Sequence, residues 1–116
     1  MRPQSAKAKG RKLQQHVATR IKECFFLPDS DVKSLPMGSQ GADVWLSRNA
    51  RECFPFSIEC KAQENISIWA AYEQAKGHGE NPLVVFKRNR SEVLCVLSFE
   101  DLLKILGHLP PHPEQT

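Results

Sequence analysis

Apolar residues recur at four-residue steps through Leu13, Val17, Ile21 and Phe25. This spacing predicts one buried stripe on a helix over residues 10–26, which Pro28 then stops. Further on the period changes to two. Between Phe54 and Lys61 the residues Phe54, Phe56, Ile58 and Cys60 alternate with Pro55, Ser57, Glu59 and Lys61. Such alternation predicts a half-buried strand, with Glu59 and Lys61 together on its polar face. A short edge strand is expected over 31–35 before Pro36, and another strand from Asp43 to Leu46. The polar stretch 47–52 predicts a turn that folds the strands on either side of it into an antiparallel hairpin, with Asp43 facing Glu59.

Ser67 offers a cap for a second helix over 68–76, ended by Gly77-His78-Gly79. Residues 83–86 and 92–97 are apolar and β-branched enough to be strands, joined by Lys87-Arg88-Asn89-Arg90-Ser91. Ser98 then caps a last helix through Leu106, with Gly107 beyond its end. The predicted order is helix, three strands, helix, two strands, helix. A strand, a crossover helix and a parallel strand make a right-handed unit, so the fold class is α/β, with a mixed central β-sheet flanked by helices.

A chain of 116 residues can bury one core and not two. Its expected division is a basic arm over 1–9, a domain over 10–108 and a proline-rich tail over 109–116. The net charge of +3 is modest but unevenly spread. Arg2, Lys7, Lys9, Arg11 and Lys12 fall in the first twelve residues without an acid, and the remaining chain carries eleven bases against thirteen acids. A basic arm suits a phosphate backbone, because binding releases counterions. Lys87, Arg88 and Arg90 form a second basic cluster, expected to touch the same backbone.

The four cysteines, Cys24, Cys53, Cys60 and Cys95, have no Cys-x-x-Cys pair and no histidine at zinc-ligand spacing. They are read as buried or half-buried thiols, and Cys60 as a core residue rather than a nucleophile. No apolar run has the length of a signal core or a membrane span. The expectation is a reducing cytoplasm, without a membrane partner or a small-molecule cofactor. Trp69 and Tyr72, three apart on the second helix, are expected in the core, with stacking on bases or a dimer interface as the alternatives, and His78 in a loop.

The chemistry centres on Asp43, Glu59 and Lys61. Two carboxylates suit a hard divalent cation, and magnesium in particular keeps several waters and needs few protein ligands. Two residues along a strand rise roughly 6 to 7 Å, which leaves space for a phosphate oxygen or a water between a cation at Glu59 and the ammonium of Lys61. A lone Glu-x-Lys triplet recurs by chance and equally suits solvent-facing strand residues. Order and spacing carry the meaning.

Four features come in sequence: Lys9-Gly10 ahead of the first helix, Gly41-Ala42-Asp43-Val44 at the end of a glycine-rich loop, Glu59-Cys60-Lys61 at a strand end, and Gln74 on the next helix. In this order, across residues 10–106, the chain resembles the PD-(D/E)xK nuclease superfamily, most closely its small Holliday junction resolvase-like and phage-encoded members. The resemblance implies a restriction-endonuclease-like domain that cuts DNA phosphodiesters, at branched or Holliday-junction DNA, in the cytoplasm of a host cell if the chain is phage-encoded. It implies Mg2+ or Mn2+ held by Asp43, Glu59 and the carbonyl of Cys60. Lys61 would orient or activate the attacking water, and Gln74 would steady the lysine or the substrate. Ser39 and Gln40 are expected to touch phosphate from the loop, with Lys9, Arg11, Lys12, Lys87, Arg88 and Arg90 along the DNA. Cutting two strands calls for a homodimer.

One departure stands out. Resolvase-like members often carry a glutamate in the first helix, where this chain reads Leu13-Gln14-Gln15-His16. Gln14 can offer an amide oxygen but no charge, which supports a second reading: a nuclease fold with weakened catalysis that serves as a DNA-binding or assembly module.

Overall fold

The hydroxyl of Ser5 accepts a hydrogen bond from the Ala8 N–H at 3.1 Å and so starts the first helix, α1, at Ala6. The computed structural model describes residues 5–36 and 41–108. Within them α1 spans Ala6–Phe25, four residues longer at its start than the apolar stripe predicts, so Lys7 and Lys9 are helical. The expected arm before Ser5 and the tail 109–116 lie outside the described residues. Leu13, Val17 and Ile21 are buried as their spacing requires. The helix closes at Phe26, whose left-handed backbone (φ 55°) turns its N–H onto the carbonyl of Lys22.

Among the described residues five strands follow in a single sheet: β1 (Val32–Ser34), β2 (Val44–Leu46), β3 (Ser57–Ala62), β4 (Pro82–Lys87) and β5 (Leu94–Val96). They lie in the order β1-β2-β3-β4-β5, with β3 and β4 parallel and the other neighbours antiparallel. The chain is therefore α/β, with a mixed sheet flanked by helices. Strand β5 is shorter than predicted but pairs with β4 through Val84–Val96 and Phe86–Leu94, as a hairpin should.

The stretch 47–52 is not a tight turn. Residues Arg48–Cys53 form a short helix, α2. The hydroxyl of Ser47 accepts from the Ala50 N–H at 3.0 Å, and the Asn49 amide donates to Asp31 Oδ2 at 3.2 Å. Ala50 is fully buried, which fixes the helix against the core although its other positions are polar. Strands β2 and β3 still run antiparallel, joined through α2.

Strand β3 also departs from expectation. It begins at Ser57, and Ser57, Ile58, Glu59 and Cys60 are all buried, so its polar face does not look onto solvent. Ile58 and Cys60 pack with Leu13, Val17, Ile21, Leu83 and Val85 beneath α1. On the other face α3 (Ile68–Lys76) covers the sheet, setting Ala71 and Ala75 on Val84. Crossover units bury the strands they join from both sides. The buried polar groups then need partners, and the Ser57 hydroxyl donates to the carbonyl of Glu80 at 2.8 Å.

The connection from α3 to β4 is pinned beside β3. Gly79 has φ +148°, and a Cβ there would lie 2.8 Å from Ser57 Oγ. Asn81, at φ 53°, donates from its amide to the Pro55 carbonyl at 2.8 Å, and its own carbonyl accepts from the Ser57 N–H at 3.0 Å. The last helix, α4 (Phe99–Gly107), is capped by Ser98 as expected and ends at Gly107 itself. Its Ile105 packs on the core, whereas Phe99, Leu102, Leu103 and Leu106 remain exposed.

Two smaller expectations fail. Cys24, Cys53 and Cys95 are exposed, and only Cys60 is buried. Tyr72 joins the smaller core, but Trp69 on the outer side of α3 is 83% exposed. Among the described residues, no helix is long and apolar enough to cross a membrane.

Candidate active site

Pairing of Val44 with Ile58 places Asp43 opposite Glu59, and the Asp43 N–H donates to the Ile58 carbonyl at 2.9 Å. One carboxylate oxygen of Asp43, Oδ2, then accepts from the Cys60 N–H at 2.7 Å. Backbone groups of successive strand residues point to opposite edges. On β3 the amides of Ser57 and Gln63 serve β4 and its lead-in, while Ile58 and Cys60 turn toward β2. Because β2 begins only at Val44, the carbonyl of Cys60 projects past the end of that strand, on the side where Asp43 sits.

Glu59 is 4% exposed, and both of its oxygens face a nitrogen. Oε1 lies 3.5 Å from Lys61 Nζ, and Oε2 lies 2.6 Å from His78 Nε2. Lys61 shares the face of Glu59, as a period of two demands, and keeps about a fifth of its side chain exposed. A buried carboxylate without such partners would be costly. Here both oxygens have one.

The Asp43 carboxyl has its pKa pushed above the ordinary carboxylate range, chiefly by burial, with the charge of Glu59 adding to the effect. The Cys60 N–H, His78 and Lys61 act in the opposite direction. Burial, with the charges of Asp43 and Glu59, pushes the Cys60 thiol up as well, which makes it inert as a nucleophile.

A cavity of about 250 Å³ gathers Asp43, Glu59, Cys60, Lys61, Gln74 and His78. From α1, Gly10 and Gln14 complete its wall. Gln14 is buried, and its Oε1 accepts from the Ser34 hydroxyl at 3.2 Å. Gln14 thus presents a neutral amide to the same cavity as the two acids. Gln74 reaches the cavity because α3 packs on the face of β3 that carries Glu59.

Among the described residues, no three His, Cys, Asp or Glu side chains are grouped so as to hold a metal ion by themselves. The side chains that could offer oxygen to a cation are the two carboxylates, and the Cys60 carbonyl and water would have to complete its shell. Asp43 is raised chiefly by burial and further by the charge of Glu59, and a divalent cation between the two acids would offset both.

His78 is the residue that sequence reasoning passed over. Its signal was the brevity of the 77–81 connection: a crossover returning to the strand beside β3 has to bring its loop under the polar face of β3. Lys9, Lys12, Lys87, Arg88 and Arg90 meet in an adjoining groove, while Arg11 is exposed outside it. Ser39 and Gln40 lie outside the described residues. Comparison with protein-family models, curated proteins and solved structures finds no match to the chain.

Proposed function

We propose that the protein is a divalent-cation-dependent endonuclease of the PD-(D/E)xK type, hydrolysing DNA phosphodiester bonds. One observation carries the reading: Asp43, Glu59 and Lys61 reach a single cavity from two strands, with the backbone of Cys60 between the two acids. Mg2+ or Mn2+ would be held by Asp43, Glu59 and the Cys60 carbonyl. When bound, such an ion lowers the pKa of a coordinated water and draws charge from a phosphate oxygen.

The chain's own groups do the rest. Lys61 sets a fixed positive charge beside the carboxylates, where it can orient the attacking water and stabilise the charge that builds on phosphorus oxygens. His78 holds Glu59 by its Oε2 and so fixes the orientation of a ligand. Gln74 lines the cavity opposite the strand and can steady Lys61 or a phosphate oxygen.

Branched DNA is the substrate suggested by the resemblance to resolvase-like nucleases, and a two-fold dimer would present two sites to two strands. The neutral Gln14 in the cavity wall favours a second reading, a DNA-binding or assembly module with weakened hydrolysis. Incubation with Mg2+ or Mn2+ and a panel of linear, nicked, flapped and four-way DNAs, beside Glu59→Ala, separates the two. Cleavage lost in the variant supports the nuclease. Cleavage that persists in the variant assigns it to another source, and binding without cleavage leaves the module.

A further inference from the structure

Two basic segments remote in sequence form opposite walls of one groove. Lys9 and Lys12 come from the first turns of α1, while Lys87, Arg88 and Arg90 come from the β4–β5 turn. The floor is the end of β3, and the groove encloses about 380 Å³. Ala62 and Gln63 line both this groove and the cavity that holds Asp43 and Glu59. The two depressions are neighbours across a shared wall.

The turn and its first cation are held in place. Lys87 Nζ donates to the carbonyls of Arg88 at 3.2 Å and Ser91 at 3.0 Å, and the Ser91 hydroxyl accepts from the Arg88 N–H at 3.1 Å. Arg90 sits at φ 61°, a conformation that side-chain-bearing residues adopt at a cost. Glu64, an acid in the lining, accepts from the Asn89 N–H at 3.3 Å and so ties the turn to the end of β3. Residues that carry five cations, from a helix and from a hairpin, line one groove, which raises the local potential and favours the entry of an anion.

We infer that this groove is a phosphate-backbone subsite, seating the stretch of DNA strand adjacent to the bond that is cut. From Glu59 to Gln63 the strand advances about 13 Å at ~3.3 Å per residue. With about 3.4 Å per nucleotide along each strand of a duplex, the groove lies within roughly four nucleotides of the carboxylates. The inference rests on the proposed nuclease reading for the polymer it names. It adds where that polymer runs: past Gln63, between α1 and the β4–β5 turn.

The test is binding without cleavage. A labelled linear duplex and a labelled four-way junction are titrated with protein in EDTA, across about 50 to 200 mM salt. The double variant Lys12→Ala/Arg88→Ala is compared with wild type and with Lys104→Ala, which removes an exposed cation of α4 that does not line the groove. Loss of two phosphate contacts flattens the plot of log affinity against log salt by about 1.8 and weakens binding about tenfold or more, with Lys104→Ala unchanged. The conservative Lys12→Arg/Arg88→Lys retains binding, and unchanged melting temperatures exclude unfolding as the cause. A double variant with the wild-type slope and affinity overturns the subsite, as does a wild type that binds neither DNA. The two readings fail separately. Groove-dependent binding with no metal-dependent cleavage sinks the nuclease and keeps the subsite, whereas Glu59-dependent cleavage that the double variant performs like wild type does the reverse.

Discussion

Glu59 Oε2 and His78 Nε2 lie 2.6 Å apart, joining the middle of a buried strand to the loop that follows α3. The contact organises the site. It satisfies one oxygen of a carboxylate that has almost no access to water, and it leaves Lys61 beside the other.

Removing the imidazole exposes how much the carboxylate depends on it. His78→Ala leaves a buried acceptor unpaired and should lower stability by about 1–3 kcal/mol in urea unfolding. Affinity for Mn2+, followed by calorimetry, should fall by about 10- to 100-fold, the range for outer-shell partners of metal ligands. His78→Gln, which keeps a donor, should recover part of both. Unaltered Mn2+ affinity in His78→Ala would reduce the histidine to a structural role.

Lys61 and Glu59 should separate in their effects. Glu59→Gln removes a charged ligand, so cation binding and cleavage should both disappear while the fold persists. Lys61→Met keeps the stem but not the charge, and turnover at saturating metal should drop about 10²- to 10³-fold with little change in cation affinity. Equal loss of Mn2+ binding in both variants would contradict this division.

Asp43 gives the site a pH signature. Its native pKa lies above the ordinary 3.8, so between those two values the native chain holds more protons than the unfolded one. The stability tied to the protonated form is complete below 3.8 and is lost as pH rises through the native value. In EDTA at neutral pH, Asp43→Asn should therefore melt at or above wild type, and the gap should close on acidification toward 3.8. Saturating Mg2+ should reverse the order, stabilising wild type by about 2.7 kcal/mol at a hundredfold excess over Kd. A variant that melts below wild type at neutral pH without metal would count against strain at this carboxyl.

Gly79 tests the scaffold behind His78. A Cβ there meets Ser57 Oγ at 2.8 Å and also forces a side chain onto φ +148°. Gly79→Ala should cost about 1–3 kcal/mol. Adding Ser57→Ala relieves the collision but not the backbone, so the double variant should recover part of the loss and show non-additive energies. Full additivity would place the cost elsewhere.

Much of this architecture was legible because periodicity records burial. The stripe from Leu13 to Ile21, the apolar runs 83–86 and 92–97, and the caps at Ser67 and Ser98 each mark an element without outside help, although the last strand proves to be only Leu94–Val96. Helix α2 escaped because six residues hold less than two turns, and only Ala50 is wholly buried within them. Ser5 escaped because the helix begins with polar residues that form no stripe. The pairing of Asp43 with Glu59 was read from a reversal over 47–52, which holds although α2 makes it, whereas burial of Glu59 depends on α3 crossing the sheet, which no local pattern encodes. His78 was hidden for the same reason, as was the meeting of Lys12 with Arg88.

The bond from the Cys60 N–H to Asp43 Oδ2 gives the site a built-in reporter. That amide proton is shared between the strand bearing Glu59 and the acid that faces it, so any ion drawing on the aspartate shifts the electron density around one backbone nitrogen. A single nitrogen-15 resonance, assigned to position 60, would register occupancy without any change to the protein.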